Sequence, residues 1–141
     1  MLKIVDNPEG AVSLNVNGRN VVTHPPATAT LVDTLRDTLK LKGTHMGCET
    51  ARCGACTVEL DGVSVKACTV LTHQANGSVV KTIEGVGDGQ DLDDVQEAFH
   101  QTHALQCGFC TPGMIMSVRE LLRRNPDPSD DEIREGLKGN L

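Results

Sequence analysis

The sequence predicts an α+β protein in which a strand-rich N-terminal domain precedes a small all-α helical-bundle domain. The first half carries short alternating apolar segments separated by Asn-Gly and Asp-Gly pairs, which are strong hairpin signals. The glycine-rich, acidic stretch EGVGDGQD follows at residues 84–91, and beyond it the apolar spacing becomes helical. We therefore expect domains at residues 1–84 and 85–141, with the acidic stretch as their linker.

Three hairpins are predicted in the N-terminal domain. Their turns lie at Asn17-Gly18, Asp61-Gly62 and Asn76-Gly77. Together with one helix, these strands fit a small mixed sheet crossed by that helix, which is a β-grasp-like arrangement.

The predicted helix of this domain follows the first hairpin. Thr30 can cap it, with Asp33 three residues later, and Gly43 is the expected stop. Its apolar residues fall on one face, which is expected to cover the sheet: Leu31, Val32, Leu35 and Leu39.

Three helices are predicted after the linker. The first covers about Leu92 to His103. The second starts near Thr111, with Pro112 at the first helical position, and runs to about Arg124. Ser129 caps a short third helix through Leu137.

The composition limits what can hold this fold together. The 141 residues carry a net charge of −6 and include two aromatic residues, Phe99 and Phe109. A core so poor in aromatic side chains predicts stabilisation by ligated cofactors or partner subunits. No basic stripe indicates nucleic-acid binding, and no run of about 18 apolar residues predicts a membrane span. Without an apparent signal peptide, we expect a cytoplasmic protein whose only membrane association is through partners.

Four of the six cysteines lie in GCETARCGACTVELDGVSVKAC, residues 47–68. Cys48, Cys53 and Cys56 have the spacing C-x4-C-x2-C, the ligand run of plant-type [2Fe–2S] proteins. Gly47 suits a backbone that wraps closely around such a cluster.

The hairpin at Asp61-Gly62 explains why the fourth cysteine comes twelve residues after the third. If the residues that flank this turn face each other, Ala55 faces Cys68. Cys68 then lies beside Cys56 at the base of the hairpin. The sequence thus predicts that all four thiols gather at one place.

Two alternatives to iron remain for these four thiols. They could bind a structural Zn²⁺, although zinc ribbons usually draw their ligands from two separate C-x2-C knuckles. Two disulfides are disfavoured because a chain without an export signal is expected in a reducing compartment. A Rieske centre would need two histidines, and only His45 lies near the loop.

A second cysteine pair lies in LQCGFCTPGM. Cys107 and Cys110 form a C-x2-C just before a helix N-terminus, which favours thiolates through the helix dipole. A thioredoxin-type dithiol has the same spacing, but it follows a strand, whereas the segment before Cys107 is predicted to be helical. Two thiols make half of an iron–sulfur site.

With these motifs in this order, the chain resembles the small iron–sulfur subunit of the molybdenum hydroxylases, the xanthine oxidase family. The resemblance covers nearly the whole chain and implies a plant-type ferredoxin-like [2Fe–2S] domain followed by a helical domain with a second [2Fe–2S] cluster. The pair Glu49-Thr50, with DGVSVKAC and GMIMSVRELL, is most similar to the aerobic carbon monoxide dehydrogenase branch. A related aldehyde or N-heteroaromatic dehydrogenase is the alternative, and a zinc-bound docking module is the alternative of another class.

The resemblance also implies roles for single residues. The four cysteines of the first motif would hold the outer cluster, which faces a flavoprotein subunit: Cys48, Cys53, Cys56 and Cys68. Cys107 and Cys110 would contribute to the inner cluster, close to the molybdenum cofactor of a large subunit. Gln106 would donate or accept a hydrogen bond at the pterin. Taken without the resemblance, Gln106 is an ordinary solvated loop residue.

The same resemblance implies an electron-transfer subunit that performs no substrate chemistry itself. Electrons would pass from a molybdenum–pterin cofactor in a large subunit through the two clusters to FAD in a medium subunit. A dimer of heterotrimers is the expected assembly. The family supplies the two remaining inner-cluster ligands from a C-R-C-T-G-Y segment after GNL, so we expect the natural protein to continue beyond Leu141.

Other chemistry-bearing residues indicate no further site. His100 and His103 share a helical face without a third ligand and are expected at the surface. Met114 and Met116 are expected to fill the core rather than bind metal. No acidic pair has a context that suggests acid–base catalysis, so we assign no catalytic residue.

Overall fold

The computed structural model describes residues 10–87 and 91–140, in which a mixed five-stranded sheet is followed by helices. The strand order in the sheet is β2-β1-β5-β3-β4. The strands are β1 (Val12–Val16), β2 (Arg19–Thr23), β3 (Thr57–Leu60), β4 (Val63–Lys66) and β5 (Val79–Lys81).

Both of the first two predicted hairpins are confirmed. Asn17 and Gly18 have φ angles of 51° and 81°, and Asp61 and Gly62 have 49° and 86°. Two successive positive φ angles are what a two-residue turn needs to match the twist of its strands. β5 lies between the two hairpins, parallel to β1 and antiparallel to β3, and so joins them into one sheet.

The third predicted hairpin, at Asn76-Gly77, is wrong. Only β5 follows that pair, and the residues before it form a 3-10 turn at Thr72–Ala75 instead of a strand. The Thr72 hydroxyl donates to the carbonyl oxygens of Ala29 (3.1 Å) and Thr30 (2.9 Å). These bonds hold the segment against the start of the first helix, where it does not pair as a strand.

The predicted helix cap is confirmed, but the predicted stop is wrong. Thr30 and Asp33 form a reciprocal capping box at the start of α1 (Leu31–Asp33), which continues as a π-helical turn (Thr34–Thr38). The helical path ends before Gly43, because Lys40 has a φ of 61°. Gly43 instead donates its N–H to Glu84 Oε1 at 2.7 Å.

The core lies between α1 and the sheet. Leu31, Val32 and Leu35 are fully buried, and Leu39 packs against them at the edge, as their spacing predicts. The same core includes two of the predicted metal ligands, Cys56 and Cys68. The remaining members come from the strands and turns: Val12, Leu14, Val16, Val58, Ala67, Ala75 and Val80.

The three predicted C-terminal helices are present. They are α2 (Asp94–Gln101), α3 (Thr111–Arg124) and α4 (Asp130–Gly136). Ser129 caps α4 through a capping box with Glu132, which is the predicted start. Residues 88–90 of the predicted linker lie outside the described residues. The linker begins within the 3-10 turn Ile83–Gly85, and Val86 beyond this turn is buried.

α3 packs across the β3–β4 hairpin. A Cβ atom added at Gly113 would lie 2.2 Å from the carbonyl oxygen of Gly54, so helix and cysteine loop meet backbone to backbone. Further along the helix, Glu120 accepts a hydrogen bond from the Ser64 N–H (2.9 Å). Arg123 forms an ion pair with Glu59 (3.0 Å). The helical part of the chain is therefore anchored to the hairpin that carries Cys56 and Cys68.

No helix among residues 10–87 and 91–140 is long and apolar enough to cross a membrane.

The Gly113 contact can be tested by substitution. We expect Gly113→Ala to destabilise the protein by about 1–3 kcal/mol or more, because the new methyl group overlaps backbone that has no rotamer by which to move away. Chemical denaturation and iron content of the iron-loaded full-length protein measure this effect.

Gly136→Ala in α4 is the matched control. The nearest atoms to its Cβ would be the terminal methyl groups of Leu121, at 3.1 and 3.2 Å, at the end of a flexible side chain. Alanine also favours a helix by about 1 kcal/mol over glycine, so we expect a change within about 1 kcal/mol. Wild-type stability and iron content in Gly113→Ala would contradict the close contact.

Candidate metal centres

The β3–β4 hairpin brings Cys56 and Cys68 together. The observed register pairs Thr57 with Lys66, and the Ala67 N–H extends it by donating to the carbonyl oxygen of Cys56 (3.1 Å). This is the register predicted from the turn. Both thiols are buried, with Cys56 1% and Cys68 7% exposed.

The second pair of thiols lies in the loop before β3. Cys48 Sγ accepts hydrogen bonds from the backbone N–H groups of Thr50 (3.4 Å) and Cys53 (3.3 Å). Glu49 and Ala51 have φ angles of 56° and 60°, so the chain curls around the Cys48 sulfur. This loop holds its sulfur with backbone donors, which is the environment that favours a thiolate.

Gly47 and Arg36 shape this loop from outside. A Cβ atom at Gly47 would lie 3.1 Å from Cys53 Sγ, so the missing side chain leaves room for that sulfur. Arg36, on the π-helical turn after α1, donates to the carbonyl oxygens of Lys42 (2.9 Å) and Thr44 (2.7 Å). The first helix thus fixes the position at which the loop begins.

The two pairs differ in electrostatic environment. Hydrogen bonding lowers the pKa of Cys48 to about 6, with the Thr50 side chain as the largest cause and the backbone N–H groups of Cys53 and Thr50 next. Burial raises the pKa of Cys56 to about 11. Without metal, therefore, Cys48 is a thiolate at neutral pH and Cys56 is a thiol.

The predicted second site begins at the N-terminus of α3. Cys110 is the N-cap residue of this helix and is half-buried, whereas Cys107 and Gln106 are exposed. Gly108 has a φ of 81°, which turns the chain between the two cysteines. The structure thus places Cys107 and Cys110 as predicted, at a helix N-terminus, with Gln106 open to solvent or a partner.

The two sites touch through His45 and Phe109, a contact that the sequence did not predict. Their rings stack with centroids 4.6 Å apart, and His45 Nδ1 donates to the carbonyl oxygen of Phe109 (2.7 Å). Phe109 lies between Cys107 and Cys110, and His45 precedes Cys48 by three residues. A direct contact therefore connects the two cysteine loops.

The other candidates are not brought into a site. His100 and His103 are exposed, Met116 is buried and Met114 is half-buried, as expected. Within residues 10–87 and 91–140, no group of three or more His, Cys, Asp or Glu side chains converges on a single metal position. All six cysteines are free of disulfides.

Comparisons with known proteins identify both halves of the chain. Residues 14–79 match the family model of the 2Fe-2S iron-sulfur cluster binding domain, and residues 82–141 match that of the [2Fe-2S] binding domain. The nicotine 6-hydroxylase small subunit of Paenarthrobacter nicotinovorans is 47% identical over 130 residues, which are 92% of this chain and 78% of that protein. The chain belongs to the family of small iron–sulfur subunits of molybdenum hydroxylases.

Two further relatives agree with this assignment. Caffeine dehydrogenase subunit gamma of Pseudomonas sp. strain CBB1 is 44% identical over 133 residues, covering 92% of this chain and 80% of that protein. The crystal structure of quinoline 2-oxidoreductase from Pseudomonas putida 86 superimposes with a TM-score of 0.90 and 43% identity, over 93% of this chain and 81% of that one.

Family membership confirms the predicted type of protein and its cofactors. This chain is the iron–sulfur subunit of a molybdenum oxidoreductase and has two [2Fe–2S] binding domains. The family's enzymes carry a molybdenum–pterin cofactor and have FAD-containing partners. The relatives are small subunits of multi-subunit complexes, so a large and a medium partner subunit are implied.

The thiol environments predict a reactivity order in the metal-free protein. We expect iodoacetamide at pH 7 to modify Cys48 faster than Cys56, because the reactive thiolate dominates at Cys48 and Cys56 is buried and protonated. The Cys48 rate should fall as pH drops through about 6. Peptide mass spectrometry with fragmentation measures each rate.

Thr50→Val is the control for this prediction, since it removes the hydroxyl that contributes most to the lowered pKa of Cys48 and keeps the backbone N–H. Its rate profile should move to higher pH. A wild-type profile centred near the ordinary thiol value of 9.0 would contradict the hydrogen-bonded loop.

Proposed function

We propose that Cys48, Cys53, Cys56 and Cys68 ligate one [2Fe–2S] cluster in two pairs. The observation that carries this proposal is the pairing itself: the Cys53 N–H donates to the Cys48 sulfur, and the register of the hairpin brings Cys68 beside Cys56. A [2Fe–2S] cluster takes two protein thiolates at each iron, whereas a single zinc ion takes four ligands around one point. Pairs of thiols in adjacent segments fit the two-iron cluster.

The chain's own residues do three things for such a cluster. The cysteine thiolates bind the irons, and the N–H groups of the Cys48 loop hydrogen-bond sulfur. The apolar core around Cys56 and Cys68 excludes water from one side. When bound, the cluster supplies reversible one-electron transfer, whose potential depends on charge, hydrogen bonds and solvent exposure.

Cys107 and Cys110 are proposed as ligands of the second cluster, with Gln106 as a hydrogen-bonding partner of the pterin. The exposure of Gln106 and Cys107 supports a role against a partner subunit, because a group that meets another chain must lie at the surface. We further propose the domain boundary near residues 84–85, which is supported by the change from sheet to helices beyond the turn Ile83–Gly85.

In this proposal electrons pass from the molybdenum centre of a large subunit to the site at Cys107 and Cys110. They continue to the four-cysteine site and reach FAD in a medium subunit. The contact between His45 and Phe109 supports electron transfer between the two sites, because it joins the two cysteine loops directly. A dimer of heterotrimers in the cytoplasm is part of the same proposal.

For the substrate of the whole enzyme we propose an N-heteroaromatic compound. The relatives named above act, by their names, on nicotine, caffeine and quinoline, all of which contain nitrogen heterocycles. Carbon monoxide, favoured by Glu49-Thr50 and the neighbouring motifs, stays a prediction without support from these relatives. The substrate meets the molybdenum subunit, so this chain supplies only the electron path.

Ligand assignment predicts how single cysteine substitutions change the spectra. We expect Cys68→Ser to weaken or remove one of two EPR signals in the dithionite-reduced protein, and Cys107→Ser to affect the other. In each variant the EPR signal of the other cluster should persist, because the two thiols belong to different sites. EPR and iron content of the full-length complex measure both effects.

Retention of both signals and all iron in Cys68→Ser would remove Cys68 from the ligand set. Ser64→Ala on β4, the strand that leads to Cys68, is a matched control, because it changes a half-buried side chain of the hairpin without removing a thiol.

The substrate proposal predicts that the purified complex reduces an artificial dye at least about tenfold faster with an N-heteroaromatic compound than with carbon monoxide. Nicotine, quinoline and caffeine would be compared with carbon monoxide-saturated buffer at equal enzyme concentration. Dye reduction by carbon monoxide alone would favour the other branch and leave the electron-transfer role intact.

A further inference from the structure

Lys66 places a cationic side chain over the four-cysteine loop. It is the last residue of β4, faces Thr57 across the hairpin and precedes Cys68 by two residues. Its Nζ donates to Thr57 Oγ1 at 2.9 Å, and Thr57 follows Cys56 directly. The half-buried ammonium group is thus held beside the backbone that carries both buried cysteines.

The helical part of the chain holds Lys66 from the other side. Asn140 Oδ1 accepts hydrogen bonds from Lys66 Nζ (3.2 Å) and from Ser117 Oγ on α3 (2.8 Å). Asn140 Nδ2 donates to the carbonyl oxygen of Gly54 (3.2 Å), inside the cysteine loop. Asn140 is only 9% exposed, so this junction is shielded from solvent.

The described hydrogen-bond partners of Lys66, Thr57 Oγ1 and Asn140 Oδ1, are both neutral. The neighbouring carboxylate of Glu120 is already engaged by Arg124 and by the Ser64 N–H. The Lys66 charge is therefore held by neutral groups next to Cys56, where a bound cluster would carry negative charge.

We propose that Lys66 raises the reduction potential of the four-cysteine cluster and that Asn140 fixes its position from the helical domain. This inference rests on the proposed ligand set. One-electron reduction adds one negative charge to the cluster and forms or breaks no bond, so a cation held nearby favours the reduced state. In a shielded junction the attraction between this cation and the reduced cluster is screened less than it would be at the surface.

The test is an EPR-monitored potentiometric titration of the iron-loaded full-length complex, with dithionite as the reductant. Lys66→Gln keeps a hydrogen-bond donor for Thr57 and Asn140 but removes the charge. We expect about a tenfold fall in the equilibrium constant for reduction of that cluster, which is about 59 mV for one electron. Lys66→Arg keeps the charge and should retain the wild-type potential.

Lys42→Gln is the matched control. It makes the same chemical change at a lysine whose side chain is 55% exposed and paired with Asp37, where solvent screens the charge. Neither cluster's potential should change in this variant. The potential of the second cluster should also stay constant in Lys66→Gln, since its predicted ligands are Cys107 and Cys110.

Two results separate this inference from the ligand proposal. Absence of a second [2Fe–2S] signal in the wild-type protein would overturn the ligand proposal, whereas two signals with an unmoved potential in Lys66→Gln would overturn the role of Lys66 alone. If Lys66→Gln fails to load iron, Lys66→Met replaces it, because methionine keeps an unbranched apolar stem and removes the charge. The same fall in potential is expected there, and an unchanged potential would overturn the inference.

Discussion

The backbone contact between Gly113 and Gly54 is the constraint on which the arrangement of both metal sites depends. Gly113 lies in the first turn of α3, three residues after Cys110, and Gly54 lies between Cys53 and Cys56. One helical turn is about 5 Å, so fixing the two glycines against each other also fixes the separation of the two cysteine loops. Any side chain at Gly113 would move α3 outward, and the stacked rings of His45 and Phe109 would separate. Backbone packing therefore sets how closely the two cysteine loops approach each other.

The two sites are buried to different degrees, and this difference indicates where partner subunits are needed. Cys56 and Cys68 belong to the hydrophobic core, so the chain itself keeps water from that side of the first site. Cys107 is exposed, and Phe109 beside it is 47% exposed although it is one of only two aromatic residues. A cluster proposed at that loop would therefore need another chain to shield it from water. The composition led to the same expectation, because a core of small aliphatic residues leaves little apolar surface with which to cover a second site.

The sequence predicted local features well and contacts between distant segments poorly. The turn at Asp61-Gly62 determines the hairpin register. The approach of Cys68 to Cys56 can therefore be predicted from the position of this turn and the number of residues on each side of it. The equally strong Asn76-Gly77 signal failed because the Thr72 hydroxyl forms three hydrogen bonds with residues around α1, and tertiary bonding outweighs turn propensity there. The junction of Gly54, Lys66, Ser117 and Asn140 could not be predicted at all, since it joins four segments that have no common period or motif.

This junction also explains why polar groups lie where the two parts of the chain meet. Gly54 accepts from both Asn140 and Thr57, and Asn140 in turn accepts from Ser117 and Lys66, so each bond restricts the geometry of the next. An apolar contact of the same size would allow α3 to slide along the hairpin, because apolar packing has little directional preference. Hydrogen bonds between groups shielded from water are directional and costly to leave unmade. The network therefore specifies one position for the helix, and it does so at the loop where a small displacement would change the surroundings of the thiolates.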